Sequence, residues 1–421
     1  MSNFKMFPSL ADLDSVFALR SASDLSANPT KLYYPMGNDL CLRYKKYNNN
    51  GIQAPLTRYN VIMPDGTFQD LNMIFAPPNG ITWQAMGTGV PSRTLAISSY
   101  DNSNVYVGGF FTNIGGDTNK QYIARWDGAT WRALSSGTSG VVYAIFAQDN
   151  SNVYIGGEFL NIGGDTNKTG IVKWDGTTWR AMGAGIGGGA YAISVKDNSN
   201  VYVGGGFFDI DGDPNKCGIA KWNGTSWTAL GAGISDGTNL VQAISSYDNS
   251  NVYVGGDFAN IDGDTNKRYI AKWDGSTWQR MGTGASNFVQ AISAVNNSNV
   301  YIGGHFLNIG GDTNKKCIAK WDGSTWQSLG SGINDVVQAI TARDNSNIYV
   351  GGGFLNIGGD TNKQYIAKWY GATWRALSTG TSGQVHAISE YDNSNVYVGG
   401  QFSNIGGDTN KNGIAKWTNV Y

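Results

Sequence analysis

Down most of the chain, short apolar runs alternate with small polar turns in one repeating order. From Val141 the runs are VVYAIF (Val141–Phe146), NVYIGG (Asn152–Gly157), GIVKWDG (Gly170–Gly176) and TWRAMG (Thr178–Gly183). They are short and rich in Val, Ile, Tyr and Trp, the composition of strands. The connectors DNSN, NIGGDTNK and DGTT carry Asx-turn and glycine-turn chemistry, and the Asp-Gly pair marks a hairpin. No period holds a stretch of about ten residues with helical spacing.

The unit recurs down the chain. Its first tryptophan falls at Trp126, Trp174, Trp222, Trp273, Trp321, Trp369 and Trp417, and its second at Trp83, Trp131, Trp179, Trp227, Trp278, Trp326 and Trp374. The spacing of the first set is 48 residues except for one interval of 51, which extra residues in the loop Gly231–Leu240 explain. Four antiparallel strands per repeat of about 40 to 50 residues describe one propeller blade. The two ends fit together. Ile81–Gly87 reads as a fourth strand with no third before it, and Gly413–Tyr421 as a third strand with no fourth after it. In a ring they complete one blade and remove an open sheet edge. The expected fold is all-β: a seven-bladed β-propeller of four-stranded blades over 81–421, closed by its terminal strands, after a small α+β segment at 1–80. An open β-solenoid is the competitor.

A second strand ending in Gly-Gly, a third ending in an aromatic-Asp-Gly turn, and a following W-x-x-L resemble the kelch-type blade. The whole unit is similar to the IAxWDG…W…LG…YVGGxF arrays of bacterial and viral surface and appendage proteins. The resemblance covers about residues 81–421 and implies a propeller. Its markers are shared by enzymes, scaffolds and adhesins, so they carry fold rather than function. The near-identical copies and the added GDTNK loop depart from kelch repeats.

Charge and composition narrow the function classes. Thirty basic and 31 acidic residues leave a net charge of −1, which gives no electrostatic case for nucleic acid or an anionic membrane. No apolar run approaches the roughly 18 residues of a membrane helix, and the N-terminus lacks a secretion-signal pattern. Cys41, Cys217 and Cys317 cannot build a disulfide framework, and two histidines nearly exclude a multi-histidine metal site. G-x-S-x-G, H-E-x-x-H and C-x-x-C are absent. No enzyme activity, cofactor or metal is expected.

Four features have two readings. The tryptophans could be sugar platforms, but packing between blades is the simpler account. The Gly-Gly pairs lack the helix a phosphate cradle needs, and more simply allow close backbone approach. Asp117, Asp165, Asp213, Asp264, Asp312, Asp360 and Asp408 of the GDTNK loops could suggest calcium. The EF-hand spacing is missing and a lysine follows each, so an Asx turn with an Asp–Lys pair is expected. The WDGST turns only faintly resemble the sialidase Asp-box, whose Asp and Gly are not adjacent.

Variation among the copies points elsewhere. The residue after Gly-Gly is Phe110, Glu158, Gly206, Asp257, His305, Gly353 or Gln401. The second residue of the first strand is Leu95, Tyr143, Tyr191, Gln242, Gln290, Gln338 or His386. The loop before the first strand also varies. In an antiparallel blade these places fall on one face of the ring, whereas the monotonous DNSN and DGST turns fall on the other. This variable rim is the candidate ligand-binding face, and drift at unconstrained surface positions is the competing reading.

Residues 1–80 do not repeat. Ser9–Leu19 predicts a short capped helix. LYYPMG, LCLRYKKY and RYNVIMPDGTFQDLNMIF predict strands with a PDG hairpin. So small a segment is marginal alone and suggests attachment to other structural proteins or self-association. The expected function is a non-enzymatic binding or structural protein, such as a virion or phage appendage with an N-terminal anchor and a head facing a glycan or protein receptor. A propeller lectin and an intracellular kelch-like scaffold are the alternatives. The virion surface is the expected location, or otherwise the cytoplasm.

Overall fold

The computed structural model describes residues 82–162, 165–234, 240–261, 263–392 and 394–418, with four N-terminal strands at Leu32–Met36, Leu40–Tyr44, Asn60–Ile62 and Phe68–Asp70. The chain divides into two units, Met1–Ile81 with Asn419–Tyr421, and Thr82–Thr418. In the first unit the four strands form one antiparallel sheet in chain order, with Asn60 opposite Asp70 and Ile62 opposite Phe68. The helix expected over Ser9–Leu19 lies outside the described residues.

The second unit is a seven-bladed propeller. Six sheets are four-stranded antiparallel meanders of consecutive strands. The second blade is representative: Val141–Asp149, Asn152–Glu158, Ile171–Trp174 and Trp179–Ala181. The seventh takes Gln384–Asp392, Asn395–Gln401 and Ile414–Thr418 from the C-terminal end and Thr82–Ala85 from the start of the ring. Trp417 stands opposite Trp83 and Ala415 opposite Ala85. The competing open solenoid has no such pairing.

Strand limits differ from the apolar runs for local reasons. The inner strand runs on to Asp149 because that aspartate still pairs with Asn152 across the DNSN turn. The third and fourth strands are shorter than their runs because Asp175 leaves the ladder and accepts the amides of Thr177 and Thr178. The GDTNK loops, expected as Asx turns with an Asp–Lys pair, make that turn and pair within a short 3₁₀ turn where described in full. Asp117 caps Thr118–Lys120 by accepting the Asn119 amide.

The core lies between blades. Tyr106 and Ile123 of the first blade pack with Val142, Ile145, Val153, Ile155 and Phe159 of the second. The second strand of a blade is buried along nearly its whole length because a neighbour covers each face, which is why its residues do not alternate. The Gly-Gly pair permits this approach. A Cβ on Gly204 would lie 2.2 Å from Val241 Cγ1 of the next blade, and one on Gly205 would lie 1.9 Å from the Gly189 carbonyl oxygen.

Polar bonds fix the angle between blades. The indole of Trp131 donates to the Met86 carbonyl of the preceding blade, and Trp227, Trp278, Trp326 and Trp374 make the same bond to Met182, Leu230, Met281 and Leu329. Trp83 donates to Leu377, so the closing blade obeys the same rule. The second-strand tyrosines Tyr154, Tyr253, Tyr301 and Tyr397 donate to Asn198, Asn297, Asn345 and Asn102 in the next blade's DNSN turn. Serine hydroxyls link neighbouring inner strands, Ser98 to Ala147, Ser245 to Ala294, Ser293 to Ala342 and Ser389 to Ser99. The tryptophans and the DNSN turns are therefore assembly chemistry.

Candidate functional site

Every inner strand carries a β-bulge near its start. The register slips between Thr94 and Ala96, Val142 and Ala144, Ala190 and Ala192, Val241 and Ala243, Val289 and Ala291, Val337 and Ala339, and Val385 and Ala387. The residues skipped are Leu95, Tyr143, Tyr191, Gln242, Gln290, Gln338 and His386, the same seven that vary between copies. A bulge leaves one residue out of the ladder and re-aims its side chain while the rest of the strand keeps its packing. All seven are half-buried. The residue after Gly-Gly closes the same end of the strand pair: Glu158 stands opposite Val141, Asp257 opposite Leu240 and Gln401 opposite Gln384.

The rim has two sectors of different chemistry. Over the first three blades Phe110, Tyr143 and Tyr191 follow one another edge to face, with ring centroids 6.2 and 5.2 Å apart. Glu158 sits among them. The Tyr191 hydroxyl donates to its Oε1 at 2.7 Å and the Tyr143 hydroxyl to its Oε2 at 3.5 Å. Burial and the nearby Glu158 charge push both phenols above their ordinary value. Over the remaining blades the bulged residues are Gln242, Gln290, Gln338 and His386. His386 Nδ1 lies 3.1 Å from Gln338 Oε1, and burial, aided by the Arg93 charge, pulls the imidazole down to about 4. The Oε1 atoms of Gln242 and Gln290 and the Nε2 of His386 are buried without a partner. His305, in the blade of Gln290, has its ring 5.4 Å from that of Phe288 in the loop entering the blade, the two planes tilted by 33°.

Three features of this face escape a reading by copy variation. Arg93, in the loop before the first blade, donates twice to Gln401 Oε1, at 3.0 and 2.6 Å, and lies 5.7 Å over the Phe110 ring. It borders a cleft of about 680 Å³ at the closing junction, lined also by Pro91, Ser382 and Asn412. Leu160, Phe208, Leu307 and Leu355, each three residues beyond a Gly-Gly pair, project into solvent on this face, Leu160 and Phe208 at 76% and 71% exposure. Their signal was available, since an apolar residue recurs at a turn position with nothing to pack on.

The other candidates are structural. In the GDTNK loops Lys120, Lys168, Lys315 and Lys411 hold Asp117, Asp165, Asp312 and Asp408 at 2.6, 2.8, 2.5 and 2.6 Å, and Lys363 pairs with Asp360. An ammonium stands where a calcium ion would sit, and these bonds hold the carboxyls below their ordinary range. Asp127 of the aromatic-Asp-Gly turn accepts two amides and pairs with Arg132. Cys217 and Cys317 are buried, and burial pushes the Cys317 thiol up to about 11, away from nucleophilic use. Among the described residues no three of His, Cys, Asp and Glu stand close enough to share a metal ion.

Residues 125–296 match the Rax2 C-terminal beta propeller domain. That is less than half of the chain, and the match does not extend to the kelch-like family suggested by the glycine and tryptophan pattern. No curated protein matches. Among solved structures the propeller is similar to YCF48 bound to D1 peptide, 15% identical over 80% of this chain and 97% of that one, TM-score 0.50. It is also similar to the RRP9 WD40 repeats, at 11%, 80%, 99% and 0.50. U3-55K stands at 10%, 80%, 98% and 0.53. At such identities the likeness concerns the fold. What these structures share with this chain is a β-propeller fold.

Proposed function

We propose that this chain is a non-enzymatic recognition protein. Its propeller presents the bulge-lined face to a protein partner, and residues 1–80 fix it to a larger assembly, a virion or phage appendage. One observation carries the reading of the face: the variable inner-strand residue is the bulged residue in all seven blades. A bulge forgoes ladder pairing at that residue, and the feature is kept in every copy while the side chain it aims changes. Drift accounts for changing side chains but gives no reason for them to fall on an aimed position. The exposed Leu160, Phe208, Leu307 and Leu355 on the same face add the scattered apolar contacts of a protein interface. A propeller described as bound to a peptide offers a parallel use of this fold.

Quantitative mass spectrometry of particles purified from the source tests the attachment. The chain is expected at a fixed ratio to other structural proteins after a high-salt wash, and is expected to be lost when residues 1–80 are deleted. Recovery only in the soluble fraction, at no fixed ratio, contradicts this. Saturable, calcium-independent binding on a glycan array would move the reading to a lectin.

A further inference from the structure

We infer that Glu158, Tyr143 and Tyr191 form a site for an organic cation, the lysine or arginine side chain of the partner. The inference rests on the rim being the recognition face, and it names what the aromatic sector of that rim accepts.

The Glu158 carboxylate is exposed yet positioned. Phenol hydroxyls from two neighbouring blades reach its two oxygens, at 2.7 and 3.5 Å. Both donors are neutral, so they orient the charge without cancelling it. Among the described residues no lysine, arginine or histidine forms an ion pair with Glu158, whereas the GDTNK aspartates have their own lysines. A carboxylate held in place and left without a counter-charge, on the sector of a variable rim, is complementary to a cation.

The rings supply the rest. Tyr143 and Tyr191 stand at 89° to one another, and Phe110 stands at 86° to Tyr143. Successive perpendicular rings make a corner beside the carboxylate. The faces of aromatic rings are electronegative and attract ammonium and guanidinium groups. The chain already uses this pairing: Lys173 Nζ lies 5.4 Å over the Tyr154 ring, and Arg93 lies over Phe110 beside the site. Arg93 is held by two bonds to the neutral Gln401 and forms no ion pair with Glu158, so its charge acts on the site only from a distance. In the opposite sector the bulged residues Gln242, Gln290 and Gln338 are uncharged, and the carboxylate of that sector, Asp257, stands beside a glutamine and not beside tyrosine rings. The aromatic sector therefore differs from it in joining rings to a carboxylate.

The test uses the full chain and two synthetic peptides, acetyl-Gly-Ser-Lys-Ser-Gly-amide and the same peptide with norleucine for lysine, each titrated to millimolar concentration with NMR detection of the tyrosine rings. The lysine peptide is expected to bind at least about fivefold more tightly than its neutral counterpart. Glu158→Gln is expected to abolish that preference, and Tyr191→Leu to reduce it. Asp322→Asn, on the opposite face where the third blade naturally carries Asn223, is expected to leave it intact. Equal binding of the two peptides, no binding of either, a preference that survives Glu158→Gln, or binding of neutral oligosaccharides in place of the lysine peptide each overturns the site. If the cation site fails while photo-crosslinks from Gln290 still capture one partner, the rim stands as the recognition face. Crosslinks from the opposite face alone remove the rim reading itself.

Discussion

At the scale of single residues, the glycines and buried charges set sharp expectations. A Cβ at Gly204 would meet Val241 Cγ1 at 2.2 Å and Ile244 Cδ1 at 2.8 Å, both on the next blade. Gly204→Ala is expected to cost about 1–3 kcal/mol in urea unfolding, because a packed interface must open. At Gly212 nothing lies within 4 Å and only the positive φ of 72° resists, so Gly212→Ala is expected to cost about 1 kcal/mol. Glu390 bears on pH. It occupies a place held elsewhere by Ser99, Ala147, Val195, Ser246, Ala294 and Ala342, and both its oxygens are buried without a hydrogen-bond partner. Burial raises it from 4.5 to about 8, against the opposing charges of Arg343 and Lys368, with Asp344 and Asp392 adding to the rise. The folded protein then holds a proton that the unfolded chain has released. Glu390's contribution to stability is thus fully present below about 4.5 and is lost as pH rises towards 8. Urea midpoints between pH 5 and 8 are expected to show this decline in the parent and lack it in Glu390→Gln. The bulged residues were legible in the sequence as variable positions in a constant frame. Arg93 was not, because the VPSR loop before the first blade has no matching copy. Glu390 was visible as a lone departure among copies, but its charge is informative only once the blade interface is known to bury it.

At the scale of elements, the hydroxyl of a second-strand tyrosine is worth one blade-to-blade bond. Tyr154→Phe removes the 2.7 Å bond to Asn198 and is expected to cost about 0.5–1.5 kcal/mol by thermal or urea unfolding. Tyr397→Phe, which severs the 2.8 Å bond to Asn102 across the closing junction, is expected to cost a similar amount. A Tyr397→Phe cost well above this would mean that closure depends on that bond more than on strand pairing. The four strands of each blade were legible because their apolar runs and turn residues agree. What could not be read was the bulge, since a one-residue slip leaves no mark in a run such as VVYAIF. It follows from the facing strand instead. Gly156 and Gly157 must reach Ala144 and Val142, and Tyr143 is left over.

At the scale of the whole molecule, closure was legible from the complementary ends, and Trp83 opposite Trp417 confirms the pairing, with ring centroids 5.0 Å apart. A chain shortened to begin at residue 88 leaves Ile414–Thr418 as a bare edge. It is expected to melt earlier and to self-associate in light scattering, whereas a chain that begins at residue 78 keeps the propeller's melting temperature. Equal behaviour of the two would contradict closure by these strands. The two faces of the ring divide the labour. One carries turns spent on assembly, such as Asp274 and Asp322 accepting their own loop amides. The other carries the seven bulged side chains that we propose are spent on recognition. The most direct measurement places a photo-crosslinking amino acid in turn at Gln242 and Gln290 on the bulged rim and at Ser276 and Ser324 on the opposite turns, in protein assembled in its native particles, with partners identified by mass spectrometry. Adducts to one shared partner from the rim positions, and none from the turns, are the result expected. Adducts from the turns with none from the rim would contradict the assignment of recognition to this face.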